Sequence, residues 1–289
     1  MARGLDHIVH AVADLDAAAA FYRRCGFQVG ARNRHPWGTH NHVVQLPGFF
    51  IEILTVAEPD KLGDDGLSRH FGIPNRDAIA DGDGFSMLVL ESTDSAADVA
   101  DFKRAGIGIA GALPFSRQAM LPDGATARVG FSLAFARDPG SPRTLFATCQ
   151  QTNPDAFWCA AYQRHDNGAK AVAGVVLVAD RPDHHNEFLQ AFSGVDDSEP
   201  RIDDVVLRTP RGVIEAVTPA VFAERFGVLP RLRHSATLAA LRIAVTSLDD
   251  VERLLRGADI ATTRAGAVLA VPPQAAHGAT LLFEQTGLS

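Results

Sequence analysis

Two side chains that lie far apart in the sequence, His7 and Glu52, belong to types that bind divalent metal ions. His7 stands near the head of an apolar stretch at residues 5–12, and Glu52 is flanked by apolar residues on both sides. An acidic side chain in such surroundings is costly to bury unless a cation compensates it. Paired strands can direct both groups into one concavity, where Zn, Mn, Fe(II), Ni or Co accepts an imidazole and a carboxylate and keeps positions open for substrate oxygens. For His7 the alternative is a hydrogen-bonded histidine at a strand end.

A second group of histidines surrounds the next predicted strands. His40 and His42 point to one face of a strand and Asn41 to the other. If the histidine face lines the cavity, His40 or His42 is a further ligand or the general base that moves a substrate proton. If the other face lines it, Asn41 and Gln45 form the wall. His35, in a turn-rich segment, could equally be an exposed loop residue.

Composition excludes several classes of protein. The chain has 289 residues, 46% of them apolar, which suits one or two domains. Its 27 Lys and Arg against 34 Asp and Glu give a charge of −7, so nucleic acid is an unexpected partner. The longest apolar stretch, residues 171–179, is far shorter than the roughly 20 residues of a membrane helix. We therefore expect neither a nucleic-acid nor a membrane partner.

The cysteines indicate the cellular compartment, and the absence of several sequence motifs narrows the class of enzyme. Cys25, Cys149 and Cys159 form an odd set without C-x-x-C spacing, and the first residues lack the apolar core of a secretory signal. We expect a cytoplasmic protein. No G-x-G-x-x-G, Walker A, G-x-S-x-G or H-E-x-x-H pattern occurs, which disfavours nucleotide-cofactor enzymes and serine hydrolases.

The elements that would position these residues follow one order. Residues 5–12 predict a buried strand, and Asp14 is the expected N-cap of a helix that ends at Cys25 and Gly26. Strands are predicted at residues 27–31, 39–46 and 49–56. The unit is β-α-β-β-β.

The same order recurs three more times with little sequence identity. The later strands are predicted at residues 85–90, 127–136, 144–149, 171–178, 204–209, 213–217, 238–245, 267–271 and 279–285, and the helices at 95–104, 182–192 and 248–256. The sequence thus predicts an α+β fold of four units in two pairs, with domains at residues 1–155 and 171–289. Residues 57–83 are expected to form a long loop or lid with one helical turn, and residues 153–170 an aromatic connector across the junction of the second and third units.

Taken together, the Leu-Asp-His strand, the helix Asp-Leu-Asp-Ala-Ala-Ala-Ala-Phe-Tyr ending in Cys-Gly-Phe, and the strand Phe-Ile-Glu-Ile-Leu resemble the vicinal oxygen chelate superfamily. That superfamily contains glyoxalase I, extradiol dioxygenases, epimerases and bleomycin or fosfomycin resistance proteins. The chain is most similar to bacterial glyoxalase-like domain proteins, given its Arg-His-Pro-Trp-Gly-Thr-His-Asn segment and the later Cys-Gln-Gln. The resemblance is strongest over residues 1–57. It implies that paired units wrap a half-open, mixed-sheet barrel.

The resemblance also implies a metal site. His7 and Glu52 match the ligand positions of the superfamily, but Ser86 or Met87 stands where the second unit would supply its first-strand ligand. Gln150 is the remaining oxygen donor, so the expected metal ligands are His7, Glu52 and Gln150. The second pair of units has no matching histidine, which suggests a degenerate or dimer-forming half. Its acids, Glu215 and Glu284, are expected to pair with nearby arginines, of which the candidates are Arg208, Arg211 and Arg242.

The leading hypothesis is a lyase or isomerase that uses a divalent metal ion and acts on a small molecule with vicinal oxygens. Glu52 would accept a proton, with His40 or His42 assisting. One rival is a resistance-type protein that sequesters a small molecule without turnover. Another is an extradiol-type dioxygenase, which needs two histidines and one carboxylate around the metal, so His40 or His42 would have to join His7 and Glu52.

Overall fold

The computed structural model describes residues 1–120, 124, 126–198 and 200–285. Its secondary structure falls into two curled sheets of eight and seven strands with helices packed on them. The strands of the first sheet are β1 (Leu5–Ala11), β2 (Asn33–Arg34), β3 (Thr39–Leu46), β4 (Phe49–Val56), β5 (Gly84–Ser92), β6 (Leu113–Met120), β7 (Thr126–Ala136) and β8 (Leu145–Gln151). Those of the second are β9 (Ala169–Ala179), β10 (Asp204–Arg208), β11 (Val213–Val217), β12 (Ala236–Val245), β13 (Thr263–Ala265), β14 (Val268–Val271) and β15 (Thr280–Gln285).

Seven α-helices accompany these strands in the described residues. They are α1 (Leu15–Arg24), α2 (Ile73–Ala80), α3 (Ser95–Arg104), α4 (Pro154–Phe157), α5 (Asn186–Ser193), α6 (Pro219–Phe226) and α7 (Leu248–Gly257). Short 3₁₀ turns lie at Pro59–Lys61 and Pro182–His185, and a π-helical turn at Ser68–Gly72 precedes α2. No helix in the described ranges is both long and apolar enough to cross a membrane.

Each sheet is centred on an antiparallel pair that is flanked by parallel pairs. The first has the order β2-β3-β4-β1-β5-β8-β7-β6, with β1 against β5 in the middle and the parallel pairs β1/β4 and β5/β8 on either side. The second repeats this plan in the order β10-β11-β9-β12-β15-β14-β13. The predicted α+β fold of four units in two pairs is confirmed, although the third unit has one strand fewer.

Helix α1 shows how local sequence sets the first unit. Asp14 adopts extended backbone and its carboxylate accepts a hydrogen bond from the amide of Ala17, as the predicted N-cap requires. The chain leaves the helix through Gly26, whose φ is +80°, and a Cβ there would lie 2.9 Å from the amide nitrogen of Asn167. Glycine at this position therefore ends α1. It also lets the segment before β9 pack directly against the end of the helix.

Several predicted elements are corrected. Residues 27–31 form no strand, and only the two-residue β2 follows α1. Strand β6 and helix α6 were not predicted, and the loop at residues 57–83 contains α2 in addition to its predicted turn. Within the predicted helix at residues 182–192, the first turn is instead the 3₁₀ turn Pro182–His185, where His185 is buried with Nδ1 2.5 Å from Asp138 Oδ2 in the loop after β7.

The two sheets pack back to back. One core lies between them, with Ile8 and Leu88 from the first sheet and Val175 and Leu241 from the second. Each sheet has a smaller separate core on its other, concave side. The strands of the first sheet end at Gln151 and those of the second begin at Ala169, while the predicted domain boundaries at 155 and 171 stay predictions.

Candidate functional site

A small pocket lies in the concave side of the first sheet and is lined by both His7 and Glu52. We call it the inner pocket. Its volume is about 30 Å³, room for roughly one water molecule or one metal ion. Much of its wall is aromatic, contributed by Trp37, Phe50, Phe71, Phe115, Phe131 and Phe157.

His7 is fixed in orientation on two sides. Its ring stacks on Phe50, with centroids 4.2 Å apart and planes 15° from parallel. Its Nδ1 lies 2.5 Å from Asp6 Oδ1. Because a carboxylate oxygen accepts, Nδ1 donates, and Nε2 keeps the lone pair that a metal ion requires.

Asp6 reaches this site through a β-bulge. Simple strand alternation would put Asp6 and His7 on opposite faces of the sheet. The pairing of β1 with β5 shifts register between Leu5 and His7, so the two neighbours can meet on one side. Asp6 Oδ2 also accepts a hydrogen bond of 3.0 Å from Gln151 Nε2, so both oxygens of this carboxylate are held.

Glu52 lies opposite Val9 in the parallel pair β1/β4, two residues along from the His7–Phe50 pair and on the same face. Asn41 Nδ2 donates to Glu52 Oε1, and His35 Nε2 lies 3.9 Å from the same oxygen. Burial raises the pKa of Glu52, opposed in part by His7, by the Asn41 hydrogen bond and by the charge of Arg117.

His35 gives Glu52 no cation at neutral pH. Burial and the charge of Arg117 lower the pKa of His35 to about 3, so the ring is neutral. Within the described part of the chain, Asn41 is the hydrogen-bond donor to Glu52 and no charged side chain touches it. The carboxylate therefore keeps Oε2 available to a metal ion or a proton.

Cys149 of β8 completes a donor cluster. One ligand atom each from Asp6, His7 and Cys149 lies within 4.8 Å of the others, and all three residues are buried. Burial raises the pKa of the Cys149 thiol well above its usual value, and the charges of Asp6 and Glu52 add to the effect. Imidazole nitrogen, thiolate sulfur and carboxylate oxygen suit Zn²⁺ and its first-row neighbours. The donor types of this cluster therefore fit a divalent metal ion; among the described residues no group of three that includes Glu52 meets the same spacing, although Glu52 lines the inner pocket with His7 and Cys149.

The second unit supplies no ligand at the equivalent positions. Asp14 and Asp94 are the N-caps of α1 and α3. Met87 precedes Asp94 by as many residues as His7 precedes Asp14, so Met87 is the equivalent of His7 in the second unit. In the pair β5/β8, Ala147 lies opposite Val89 just as Glu52 lies opposite Val9 in β1/β4. Cys149, the potential ligand from the second unit, therefore lies two residues beyond Ala147, the position equivalent to Glu52.

The face of β3 that meets the pocket is the one without histidines. Asn41 and Val43 line the inner pocket. His40 Nε2 lies 3.1 Å from Glu58 Oε2, and His42 Nδ1 lies 2.8 Å from the carbonyl oxygen of Gly30. The structure thus resolves the open alternative in favour of the Asn41 face and does not bring His40 or His42 to His7 and Glu52.

Gln150 is likewise directed elsewhere. Its Oε1 accepts hydrogen bonds of 3.1 Å from the amide and the hydroxyl of Ser95, and its Nε2 donates to the carbonyl oxygen of Thr93. It thus holds the start of α3. Strand alternation explains the difference, because Cys149 and Gln151 share the pocket side of β8 and Gln150 has the opposite parity.

A larger cavity, which we call the outer chamber, adjoins the inner pocket. Its volume is about 310 Å³, and Val43, Arg117 and Phe157 line both spaces. Phe157 belongs to the aromatic connector, whose backbone bonds to Gln45 through Phe157 O and Cys159 N. The connector, expected across the junction of the second and third units, thus forms a wall beside β3 of the first.

The concave side of the second sheet holds ion pairs instead. Glu215 lies opposite Val176 in β11/β9, the register that Glu52 has in the first sheet. Arg242 bonds to both Glu215 and Glu284, with Nε 2.6 Å from Glu284 Oε1. Arg225 binds the other oxygen of Glu215 at 2.7 Å. The predicted pairing with Arg242 is confirmed, and arginines neutralise these acids.

Sequence reasoning missed His35, Trp37 and Arg117, which line the inner pocket, and Asp6, which bonds to His7. It also did not name Cys149 as a metal ligand. Asp6 depends on the bulge, which leaves no mark in the residue pattern. Arg117 lies on β6, which was not predicted. His35 and Trp37 carried a signal, since two aromatic side chains in a turn are unusual unless a buried contact holds them.

Comparisons with known proteins agree with this fold. The family model of the glyoxalase-like domain matches residues 5–192. A search of curated proteins finds no match.

Three solved structures share the fold at 12% sequence identity. A hypothetical protein from Staphylococcus aureus has a TM-score of 0.69 over 98% of this chain and 100% of its own. A mutant of 4-hydroxymandelate synthase from Streptomyces coelicolor has a TM-score of 0.60 over 99% and 93%. A xylose isomerase-like TIM barrel/4-hydroxyphenylpyruvate dioxygenase fusion protein has a TM-score of 0.55 over 100% of this chain and 49% of its own. At this identity the likeness concerns the fold alone.

Proposed function

The chain belongs to the glyoxalase-like domain family, and on that premise we propose that it is a divalent-metal-dependent enzyme acting on a small molecule with two neighbouring oxygens. One observation carries the proposal. A buried histidine with a free Nε2, a buried carboxylate with a free oxygen and a buried thiol all border one pocket of metal-ion size. His7 and Glu52 would hold the ion, with Cys149 as third donor.

The residues around the ion have separate roles. Asp6 orients His7 through Nδ1, the usual arrangement behind a histidine ligand. Asn41 holds Oε1 of Glu52 and leaves Oε2 free. A bound divalent ion would supply Lewis acidity to the substrate oxygens. The aromatic wall lowers the local dielectric constant, which strengthens charge interactions inside the pocket.

Glu52 is the proposed general base. In the protein without metal its raised pKa makes it a stronger base than an exposed carboxylate, and it lines the same pocket as His7. A base in this place can remove a proton from a carbon next to a carbonyl group and return it elsewhere. That step is shared by lyases and isomerases, the two reaction types we propose.

Proton exchange tests this chemistry without knowledge of the product. The protein, supplied with Mn²⁺ or Zn²⁺, is incubated in D₂O with a panel of small 2-hydroxycarbonyl and 2-oxo compounds, and loss of the C–H signal is followed by NMR. We expect exchange in at least one compound with the wild type. Glu52→Gln should lower the rate by about 100-fold or more, the range of general base catalysis.

His42→Gln is the matched control, because His42 lies on the opposite face of β3 and should keep wild-type exchange. Exchange that survives in Glu52→Gln, or no exchange in any compound with the wild type, would contradict the proposed role of Glu52.

A second candidate is a protein that sequesters an aromatic compound, favoured by the six aromatic rings of the inner pocket. Tight binding of such a compound without exchange or turnover would favour it. The extradiol alternative has less support, since it needs His40 or His42 beside His7 and Glu52, and the structure directs these two histidines to Glu58 and to the carbonyl oxygen of Gly30.

We place this activity in the cytoplasm. Cys25, Cys149 and Cys159 are all unpaired thiols, which supports a reducing compartment.

A further inference from the structure

The outer chamber is positively charged although the protein as a whole is acidic. Arg32, Arg34 and Arg117 line it, and none of its described lining residues is Asp or Glu. Arg32 is neutralised by Asp16, whose Oδ1 lies 2.6 Å from Arg32 Nη2. Arg34 and Arg117, at a cavity of about 310 Å³, form no ion pair within 4.0 Å in the described part of the chain, although the charge of Glu52 acts on Arg117 from the inner pocket. In a chain with a formal charge of −7, this concentration of arginine favours an anionic molecule.

Arg117 stands where the outer chamber meets the inner pocket, and its hydrogen bonding is incomplete. Its Nη1 donates to Asn33 Oδ1 at 2.9 Å. Its Nε is buried and has no partner in the described residues, and the same is true of the indole Nε1 of Trp37, which also lines the inner pocket. Buried donors without acceptors are rare and costly. A bound molecule with acceptor oxygens would satisfy them.

A chain of hydrogen bonds links Arg117 to the proposed base. Arg117 donates to Asn33, Asn33 Nδ2 donates to Asn41 Oδ1 at 3.0 Å, and Asn41 donates to Glu52. Each amide is thereby fixed in one orientation. The guanidinium that meets the anion and the carboxylate that meets the proton are therefore held in one rigid frame.

We propose that the substrate carries an oxyanion, a carboxylate or a phosphate, that binds to Arg117 at the junction of the two cavities while its reacting carbon lies beside Glu52. This assignment rests on the proposed function. Arg34 attracts the anion into the outer chamber, and Phe157 and Tyr162, which line the chamber, pack against the apolar part of the molecule. An uncharged analogue of the same shape lacks the interaction with Arg117 and binds less tightly.

Three aromatic probes of similar shape test the assignment. Benzoate, phenyl phosphate and benzamide are titrated into the protein after chelator treatment, and binding is measured by calorimetry or ligand NMR. We expect saturable binding of an anion and at least about tenfold weaker binding of benzamide. Preference for benzoate identifies a carboxylate and preference for phenyl phosphate a phosphate ester; either supports the proposal.

Arg117→Gln should weaken binding of the preferred anion by about 10- to 100-fold, the loss expected for one charged hydrogen-bonding group. Arg128→Gln is the control, because Arg128 bonds to Ser116 Oγ on the edge hairpin and does not line either cavity. Glu52→Gln should keep at least wild-type affinity for the anion. Thermal unfolding of each variant verifies that the fold is intact.

The outcomes separate the two proposals. If Glu52→Gln abolishes proton exchange and keeps anion binding that depends on Arg117, both proposals stand. If no variant affects exchange but Arg117→Gln loses the anion, the proposed function fails and the binding site remains. Equal affinity for benzoate and benzamide, no saturable anion binding, or binding that appears only with metal and is indifferent to Arg117 would overturn the anion site.

Discussion

At the residue scale, the chemistry depends on how neighbouring groups set the state of three side chains. Asp6 leaves His7 with a free Nε2, and the buried site raises the pKa values of Glu52 and Cys149. Without a cation, both acidic groups are harder to ionise, so the pocket favours their protonated forms. A divalent ion reverses this preference and releases protons as it binds.

Substitution of Cys149 tests whether its sulfur is a ligand. Co²⁺ bound by a thiolate gives a sulfur-to-metal charge-transfer absorption band in the near ultraviolet. We expect this band in the wild type and its loss in Cys149→Ser, because only a thiolate produces it. Cys159→Ser should keep the band, since Cys159 lies at the outer chamber. A band that persists in Cys149→Ser would show that the sulfur does not bind the metal.

At the element scale, the strands explain which parts of the site could be foreseen. The residue types of His7 and Glu52, and the apolar strands that contain them, were enough to predict both as site residues. The two side chains share one pocket because these strands pair. The bulge at Asp6 is a feature of pairing geometry. Strand β6 contains Pro114 and polar residues because it is an edge strand, where proline is tolerated, so its sequence lacks the strand pattern.

The face of β3 shows a different limit. Parity established that His40 and His42 share a face and that Asn41 has the other, but the strand is buried along its whole length. Without one polar side, the pattern cannot tell which face meets the cavity. The same limit applies to β8. There Thr148 donates a hydrogen bond to Asp98 and Gln150 accepts one from Ser95, and both partners belong to α3.

Arg242 tests the view that the second sheet holds a structural ion network. Arg242→Ala removes the cation that Glu215 and Glu284 share and leaves the buried Glu215 with Arg225 alone. We expect the free energy of unfolding to fall by about 2 kcal/mol. Urea denaturation measures the change. Arg253→Ala, whose exposed partner is Asp250 on α7, should change stability by less than about 1 kcal/mol. Equal, small effects would mean that the network does not stabilise the sheet.

At the scale of the whole molecule, hydrogen bonds and a shared core join the two sheets. Arg233 of the second half donates to the carbonyl oxygens of Gly82 and Phe85 in the first, and Arg211 to that of Leu5. His10 lies in the shared core, with Nδ1 2.9 Å from Tyr22 Oη and Nε2 2.9 Å from the carbonyl oxygen of His277. These contacts couple the metal-site half to the ion-pair half.

His10 should make this coupling sensitive to pH. Burial lowers its pKa from 6.5 to about 4, opposed in part by the hydrogen bond to the carbonyl oxygen of His277. The unfolded chain then binds more protons than the folded chain between these values. The contribution of His10 to the free energy of unfolding is fully present above about pH 6.5. It falls by about 1 kcal/mol per pH unit toward pH 4.

Urea denaturation at pH 7 and pH 5 measures the effect. His10→Gln is expected to be less stable at pH 7, because its packing is lost, but to show a smaller fall in stability between the two pH values. His184→Gln, which removes an exposed histidine, should keep the wild-type fall. An unchanged fall in His10→Gln would mean that His10 does not stay neutral in the folded protein.

Metal content is the most direct test of the central claim, that His7 and Glu52 converge to hold a divalent ion. The wild type, His7→Ala, Glu52→Gln and the control His42→Gln are purified without chelator, and metal is counted per chain by elemental analysis. We predict about one divalent ion in the wild type and in His42→Gln, and a loss of most of it in the other two. Equal metal content in all four proteins would contradict the account.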